Sequence, residues 1–199
     1  MSPRTEESNE RIREEQKERI LKAAMTVFAH NGYSETKMSD IAAAAQVSYG
    51  LAYHYFANKE AIFTALIQEA LKGALDLMHY ARVQPGTAWE RLRWLTSEML
   101  RGAQDEPEYE MVVLMALTSS AVPEEAQKMV LDESRLVHEA LKLLIIDGQD
   151  SGEVVAEDPD LLATAFEWCI QGMVFGMSYQ GDGPARLPGV EVVLRLLKA

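Results

Sequence analysis

Apolar residues recur along this chain at spacings of three and four, and no segment alternates apolar and polar residues for long. Spacings of three and four place apolar side chains on one face of an α-helix, whereas a half-buried strand needs strict alternation. A chain of 199 residues is long enough to bury a core without a metal or disulfide staple. The sequence therefore predicts an all-α fold.

Cap and turn residues divide the chain into helices. The first helix is expected from about residue 8 to Ala29, with its end at Asn31 and Gly32. Thr36 and Ser48 are expected to cap two short helices that follow. Further helices are expected over about 59–80, 87–101, 107–119, 123–146, 159–180 and 189–198.

The acidic charge of the chain is unevenly distributed. The formal net charge is −12, but residues 1–60 carry eight basic and nine acidic side chains and so contribute only −1. We expect a small, near-neutral N-terminal domain over residues 1–60 and an acidic C-terminal domain over residues 61–199. Charge alone does not indicate DNA binding, because the N-terminal basic residues can equally pair with neighbouring glutamates on a solvated helix.

The sequence also limits the class and location of the protein. Its single cysteine, Cys169, rules out an intramolecular disulfide and is expected to be a small buried hydrophobe. The N-terminus is highly charged, and no stretch approaches the roughly 20 apolar residues of a membrane span. We expect a cytoplasmic protein with no membrane partner.

A catalytic constellation is not found in the sequence. The four histidines are scattered, no His or Cys pair has metal-ligand spacing, and neither a nucleotide-binding glycine loop nor a nucleophile elbow is present. We therefore expect neither an enzyme nor a bound metal or cofactor.

Residues 36–63, TKMSDIAAAAQVSYGLAYHYFANKEAIF, contain two short helices joined by a tight turn. The small residues Ala42–Ala45 allow the two helices to pack closely, which is typical of a helix-turn-helix. The second helix is expected to place Ala52, Tyr55 and Phe56 inward. Its outward residues suit a DNA groove, because hydroxyl and imidazole groups bind phosphates and an apolar tip can touch a thymine methyl. They are Tyr49, Gly50, Leu51, Tyr53 and His54.

This segment resembles the DNA-binding signature of the TetR family of bacterial regulators, and the resemblance extends over about residues 17–65. The matching residues are Thr36, Asp40, Ile41, Ala42, Ala45, Val47, Ser48, Gly50, Tyr53, Tyr55, Phe56, Lys59 and Glu60. One departure is Gln46, which replaces a glycine at the turn. If that position is left-handed, a non-glycine residue costs about 1 kcal/mol there.

The resemblance implies a set of DNA contacts on these two helices. Phosphate contacts are implied for Thr36, Ser48, Tyr53, His54 and Lys59, with Lys37 as a possible addition, and base contacts for Tyr49, Gly50 and Leu51. Each has a structural alternative: Thr36 and Ser48 can serve only as caps, and Lys59 can simply begin the next helix.

The C-terminal residues suggest a ligand pocket and a subunit interface. Methionines and aromatics can line a pocket for a hydrophobic ligand, although such residues are more often ordinary core. The helix at 159–180 is apolar on two faces, so it needs two partners, of which one is plausibly the same helix of a second subunit. The pocket candidates are Trp94, Met111, Met115, Phe166, Ile170 and Met173, and the interface candidates are Trp168, Gly172, Phe175, Gly176 and Tyr179.

Two classes of protein fit these features. The first is a TetR-like regulator that binds a palindromic operator in double-stranded DNA as a homodimer and is released by a small apolar or amphipathic effector. Repression, rather than activation, is implied by the family resemblance alone. The second is a helical binding or scaffold protein without DNA contact, which leaves the outward Tyr49, Tyr53 and His54 unexplained.

Overall fold

A computed structural model of the protein describes residues 6–177 and 187–199. In these two ranges the chain forms nine α-helices and one 3-10 turn, and no residue lies in a β-strand, which confirms the all-α prediction. None of the described helices is both long and apolar enough to cross a membrane. The helices are α1 (Glu6–Glu35), α2 (Met38–Ala44), α3 (Tyr49–Tyr55), α4 (Lys59–Val83), α5 (Ala88–Asp105), α6 (Pro107–Thr118), α7 (Glu124–Asp150), α8 (Pro159–Met177) and α9 (Val190–Val193).

The chain forms two compact units. The first comprises residues up to Glu69 together with Val112–Met129, and the second comprises Ala70–Met111 and Val130–Ala199. Helices α4, α6 and α7 each contribute residues to both units. The division into functional domains at residue 60 remains a prediction, since compactness alone does not assign a function to either unit.

An aromatic cluster forms part of the core of the first unit. Phe28 of α1 stacks on Tyr33 with ring centroids 5.7 Å apart, and Phe63 of α4 meets both rings edge-on at 5.2 and 5.1 Å. All three residues are buried. Aromatic pairs at these distances add to the energy of area burial, so the cluster fixes α4 against the end of α1.

The core of the second unit joins α5, α7 and α8 with the C-terminal residues. It includes Leu92, Leu144, Phe166 and Leu197, all fully or almost fully buried. Helix α5 begins with a capping box, in which Thr87 accepts from the Glu90 amide and Glu90 accepts from the Thr87 amide. The thiol of Cys169, which was expected to be buried, is half-buried instead.

The end of the chain differs from the prediction of a helix over 189–198. Helix α9 spans only Val190–Val193 and continues as a 3-10 turn over Leu194–Leu196. The following residues instead pair with the loop before α8: the Val155 amide donates to the Leu197 carbonyl at 2.9 Å, and Val154 and Lys198 form an antiparallel bridge. Residues in these extended contacts cannot also continue the helix. The apolar spacing of the segment does not reveal the contacts, because the partners are distant in sequence.

A histidine connects α7 to α8. Nδ1 of His138 lies 2.9 Å from Oε2 of Glu167, and Nε2 lies 3.2 Å from Oδ1 of Asp160, which also lies 3.5 Å from Nζ of Lys142. A neutral imidazole has one N–H, so two carboxylate acceptors favour the doubly protonated ring. The hydrogen bond to Glu167, followed by that to Asp160, raises the pKa of His138 above its ordinary value despite partial burial.

This geometry predicts that the second unit loses stability as pH rises. A histidine whose pKa is raised on folding contributes all of its stabilisation below its unfolded pKa, about 6.5, and loses it as pH passes the folded pKa. We expect the free energy of unfolding, measured by urea denaturation, to fall across that range. The fall should be absent in His138→Gln and retained in His79→Gln, which changes an exposed histidine of α4. Identical pH profiles for all three proteins would contradict the prediction.

Candidate nucleic-acid interface

The helix-turn-helix begins where α1 is interrupted at Gly32. This residue has φ 76° and ψ 164°, in the region that favours glycine, and it breaks the helical path as the Asn31–Gly32 pair predicted. Thr36 does not cap α2, because Lys37 occupies the cap position. The Thr36 side chain is only 1% exposed, and its hydroxyl donates to the Gly32 carbonyl at 2.7 Å. The predicted cap was therefore one residue too early.

The turn between α2 and α3 depends on Gln46. Its φ of 54° is left-handed, so the condition under which the replacement of glycine is costly is met. A side chain there costs about 1 kcal/mol. The guanidinium of Arg19, on α1, donates to the Gln46 carbonyl at 3.2 Å and so supports the strained turn from outside it. This contact is not predictable from local sequence, because 27 residues separate the partners.

Helix α3 is oriented by its cap and its buried face. The Ser48 hydroxyl accepts from the Leu51 amide at 3.1 Å, which confirms that Ser48 is the N-cap. Ala52 and Phe56 are buried as predicted, whereas Tyr55 is only half-buried. The small Ala42 and Ala52 side chains are both buried at the packed α2–α3 pair. A bulkier residue at either position would separate the two helices.

The opposite face of α3 presents two tyrosines and a histidine. Tyr49 is 55% exposed and Tyr53 is 42% exposed, and both His54 and Gly50 are exposed. The two tyrosine hydroxyls lie 3.2 Å apart and share a hydrogen bond, with ring centroids 4.8 Å apart. That hydrogen bond raises the pKa of Tyr53, so its hydroxyl keeps its proton at neutral pH. Leu51 is half-buried and offers only part of its side chain to a groove.

The two lysines predicted as contacts lie in different environments. Lys37 is exposed at the start of α2. Lys59 is half-buried, and its ammonium donates to the carbonyls of Tyr33, Ser34 and Thr36. The buried Thr36 and the engaged Lys59 are therefore left out of the interface proposed below. Helix α4 is capped by Asn58, whose Oδ1 accepts from the Ala61 amide at 2.8 Å, and the N-K-E-A sequence could have revealed this cap.

The six pocket candidates do not form one cluster. Phe166 and Ile170 are buried in the core of the second unit, and Trp94 and Met173 are half-buried against it. Met111 ends a segment of the same unit, whereas Met115 belongs to the first unit. A surface depression of about 520 Å³ in the second unit has a different lining. Its residues are Gly86, Thr87, Ala88, Arg91, Asp147, Ser151 and Glu153.

The interface candidates lie on the second face of α8. Trp168 is 70% exposed and Phe175 is 50% exposed, although both are large apolar side chains. Gly172 between them is exposed, and a Cβ added there would meet no atom within 4 Å. Gly176 is half-exposed, and Tyr179 lies outside the described residues.

Comparison with known proteins finds similarity to bacterial regulatory proteins, and the sequence similarity is concentrated in the N-terminal third of the chain. Residues 20–66 match the family described as "Bacterial regulatory proteins, tetR family". The "Fatty acid metabolism regulator protein" of Bacillus subtilis is 37% identical over 79 residues, which cover 40% of this chain and 41% of that protein. The sequence match to that relative thus spans less than half of its length.

Two solved structures share the fold over nearly the whole chain. The MbdR regulator from Azoarcus sp. CIB has a TM-score of 0.77 at 24% identity, covering 91% of this chain and 94% of that one. The SmeT–triclosan complex has a TM-score of 0.71 at 19% identity, covering 93% and 92%. The residues matched by the family coincide with the helix-turn-helix built above, so this segment of the chain is a DNA-binding domain of the TetR type.

Proposed function

We propose that this regulator represses transcription by binding a palindromic operator as a homodimer and that a small effector releases it. The observation that carries the proposal is the exposed face of α3, where Tyr49, Tyr53 and His54 stand outward from a helix anchored by Ala52. The hydroxyls of Tyr49 and Tyr53 contact each other on the exposed face of α3 and are accessible to a partner. They are well suited to phosphate oxygens and base edges in a major groove.

The proposed contacts divide by role. Tyr53, His54, Ser48 and Lys37 bind phosphates and fix the position of the helix, while the N-terminal residues of α3 face the bases. Those residues are Tyr49, Gly50 and Leu51. Gly50 permits close approach to DNA because it has no side chain, and packing within the protein does not require a glycine there, since a Cβ would meet no protein atom within 4 Å.

Dimerisation is proposed through α7 and α8. The two helices lie side by side, as the contacts of His138 with Glu167 and Asp160 show. Helix α8 exposes Leu161, Trp168 and Phe175 at intervals of seven residues, and α7 exposes Leu136 and Leu143. Several large apolar side chains left exposed on two neighbouring helices are typical of an interaction site, and a two-fold axis would pair such a site with itself. The interface proposed here therefore consists of exposed residues of α7 and α8.

The effector is proposed to be an apolar or amphipathic molecule bound among the helices of the second unit, where Trp94 and Met173 are half-buried against the core. These adaptable side chains are half-buried rather than fully packed. The SmeT–triclosan complex, which shares the fold, shows one such neighbour with an apolar small molecule. Compounds that stabilise the protein in a thermal-shift screen should also weaken its gel shift; stabilising compounds without that effect would refute the coupling.

A gel-shift titration on DNA flanking the protein's own gene tests operator binding. Loss of one neutral hydrogen bond costs roughly 1 kcal/mol, so Tyr53→Phe should weaken binding about fivefold, and His54→Ala by a similar factor, on every sequence. Leu51→Ala should instead change the preferred sequence. Tyr80→Phe, which alters an exposed tyrosine of α4 outside the helix-turn-helix, is the matched control and should bind as the wild type. Full affinity in both the Tyr53 and His54 variants would exclude this docking of α3.

A further inference from the structure

The ammonium group of Lys59 is surrounded by backbone carbonyls. Its Nζ lies 2.9 Å from the Tyr33 oxygen, 3.1 Å from the Ser34 oxygen and 3.0 Å from the Thr36 oxygen. It also lies 4.6 Å from the centroid of the Tyr33 ring. An ammonium has three N–H donors, so these carbonyls account for all of them.

The position of these carbonyls explains why a cation is held there. They follow the break in α1 at Gly32, where the last carbonyls of a helix lack intrahelical partners and carry partial negative charge. The hydroxyl of Thr36 already donates to the Gly32 carbonyl. Lys59 thus supplies the donors that the rest of this turn needs.

The residue after Lys59 strengthens the same connection. Burial of Tyr33, together with the charge of Glu60 and a hydrogen bond to it, raises the pKa of Tyr33 to about 12. The phenol therefore stays protonated and donates to the Glu60 carboxylate. Two successive residues at the start of α4 are thereby joined to Tyr33 at the end of α1.

The contact between the Lys59 ammonium and the carbonyls joins the two ends of the segment that contains the helix-turn-helix. Residues 37–58, which contain α2 and α3, lie between the carbonyls at 33–36 and the ammonium at 59. We propose that Lys59 is a positioning residue that joins the entry and exit of the helix-turn-helix through the chain's own carbonyls, and that its charge is not given to a DNA phosphate. This inference rests on the proposed function, because it assigns a role within operator binding.

The salt dependence of binding separates the two roles. Removing a phosphate contact lowers the slope of log K against log salt by about 0.9. We expect Lys59→Met to lower operator affinity about tenfold, the effect of losing a charged hydrogen-bonded group, with the wild-type slope retained. Lys37→Met, at an exposed lysine of the same interface, should lower the slope instead. A slope reduced equally in both variants would overturn the proposal.

Loss of stability by itself must also be excluded. Ile67→Val shortens a fully buried side chain of the first unit away from the carbonyl cluster, and it should reduce stability without changing affinity in the folded protein. If Ile67→Val weakens operator binding as much as Lys59→Met does, the positioning role is wrong.

Hydrogen exchange of the free protein provides a readout without DNA. Amides of residues 37–58 should exchange faster in Lys59→Met than in the wild type, because the two ends of the segment are released. Exchange unchanged in that segment would refute the positioning role. A wild-type protein that binds no DNA, combined with faster exchange in the variant, would refute the proposed function and leave the structural role of Lys59 intact.

Discussion

Trp168→Glu is expected to convert the protein into a monomer and to weaken operator binding by more than about 100-fold, since two linked half-site contacts exceed one by factors of roughly 10² to 10⁴. Trp168 is the most exposed large apolar side chain of α8. A carboxylate there would have to be buried without a partner in a two-fold interface. Sedimentation velocity at micromolar concentration measures the oligomeric state, and a gel shift measures the affinity.

Two further variants make this test specific. Gly172→Arg places a charged side chain on the same face without a clash inside the subunit, because a Cβ there meets no atom within 4 Å, so it should also give a folded monomer. Tyr80→Glu changes an exposed aromatic of α4 and should leave the oligomer intact. A wild-type protein that sediments as a monomer, or a Trp168→Glu protein that remains a dimer, would rule out this interface.

Phe63→Ala should strongly destabilise the first unit. Truncating a buried phenylalanine costs about 3–5 kcal/mol, because the cavity that remains is only partly filled by relaxation. Here the ring is fully buried between Phe28 and Tyr33. A loss of this size is a large share of the stability of a typical domain, about 5–15 kcal/mol. Urea denaturation followed by circular dichroism measures it.

Tyr49→Ala serves as the comparison for this truncation. It removes an aromatic ring of similar size from the exposed face of α3 in the same unit. Its effect should lie within about 0.5 kcal/mol of the wild type, as for other surface substitutions. If Phe63→Ala and Tyr49→Ala lowered the free energy of unfolding equally, burial in the aromatic cluster would contribute nothing to stability.

The helices and the site were predictable from sequence to different degrees. Helix positions could be predicted from apolar spacing and from residues that end or begin helices, such as Gly32 and Thr87. These signals act between residues that are close in sequence. The turn at Gln46 followed from the family pattern. The buried state of Thr36 and the carbonyl contacts of Lys59 were not predictable, because they depend on how α4 returns to the end of α1. The pairing of residues 153–155 with the chain end depends likewise on distant partners.

The distribution of tryptophan has a practical consequence for following this protein in solution. All three tryptophans, Trp89, Trp94 and Trp168, belong to the second unit, whereas α3 contains tyrosines and no tryptophan. Fluorescence excited at wavelengths that only tryptophan absorbs therefore originates entirely in the second unit. This is the unit proposed to bind the effector and the partner subunit. Trp168, exposed to water, reports on subunit association, and the half-buried Trp94 reports on occupation of the proposed pocket. The protein thus contains its own optical labels for both events, with no dye attached.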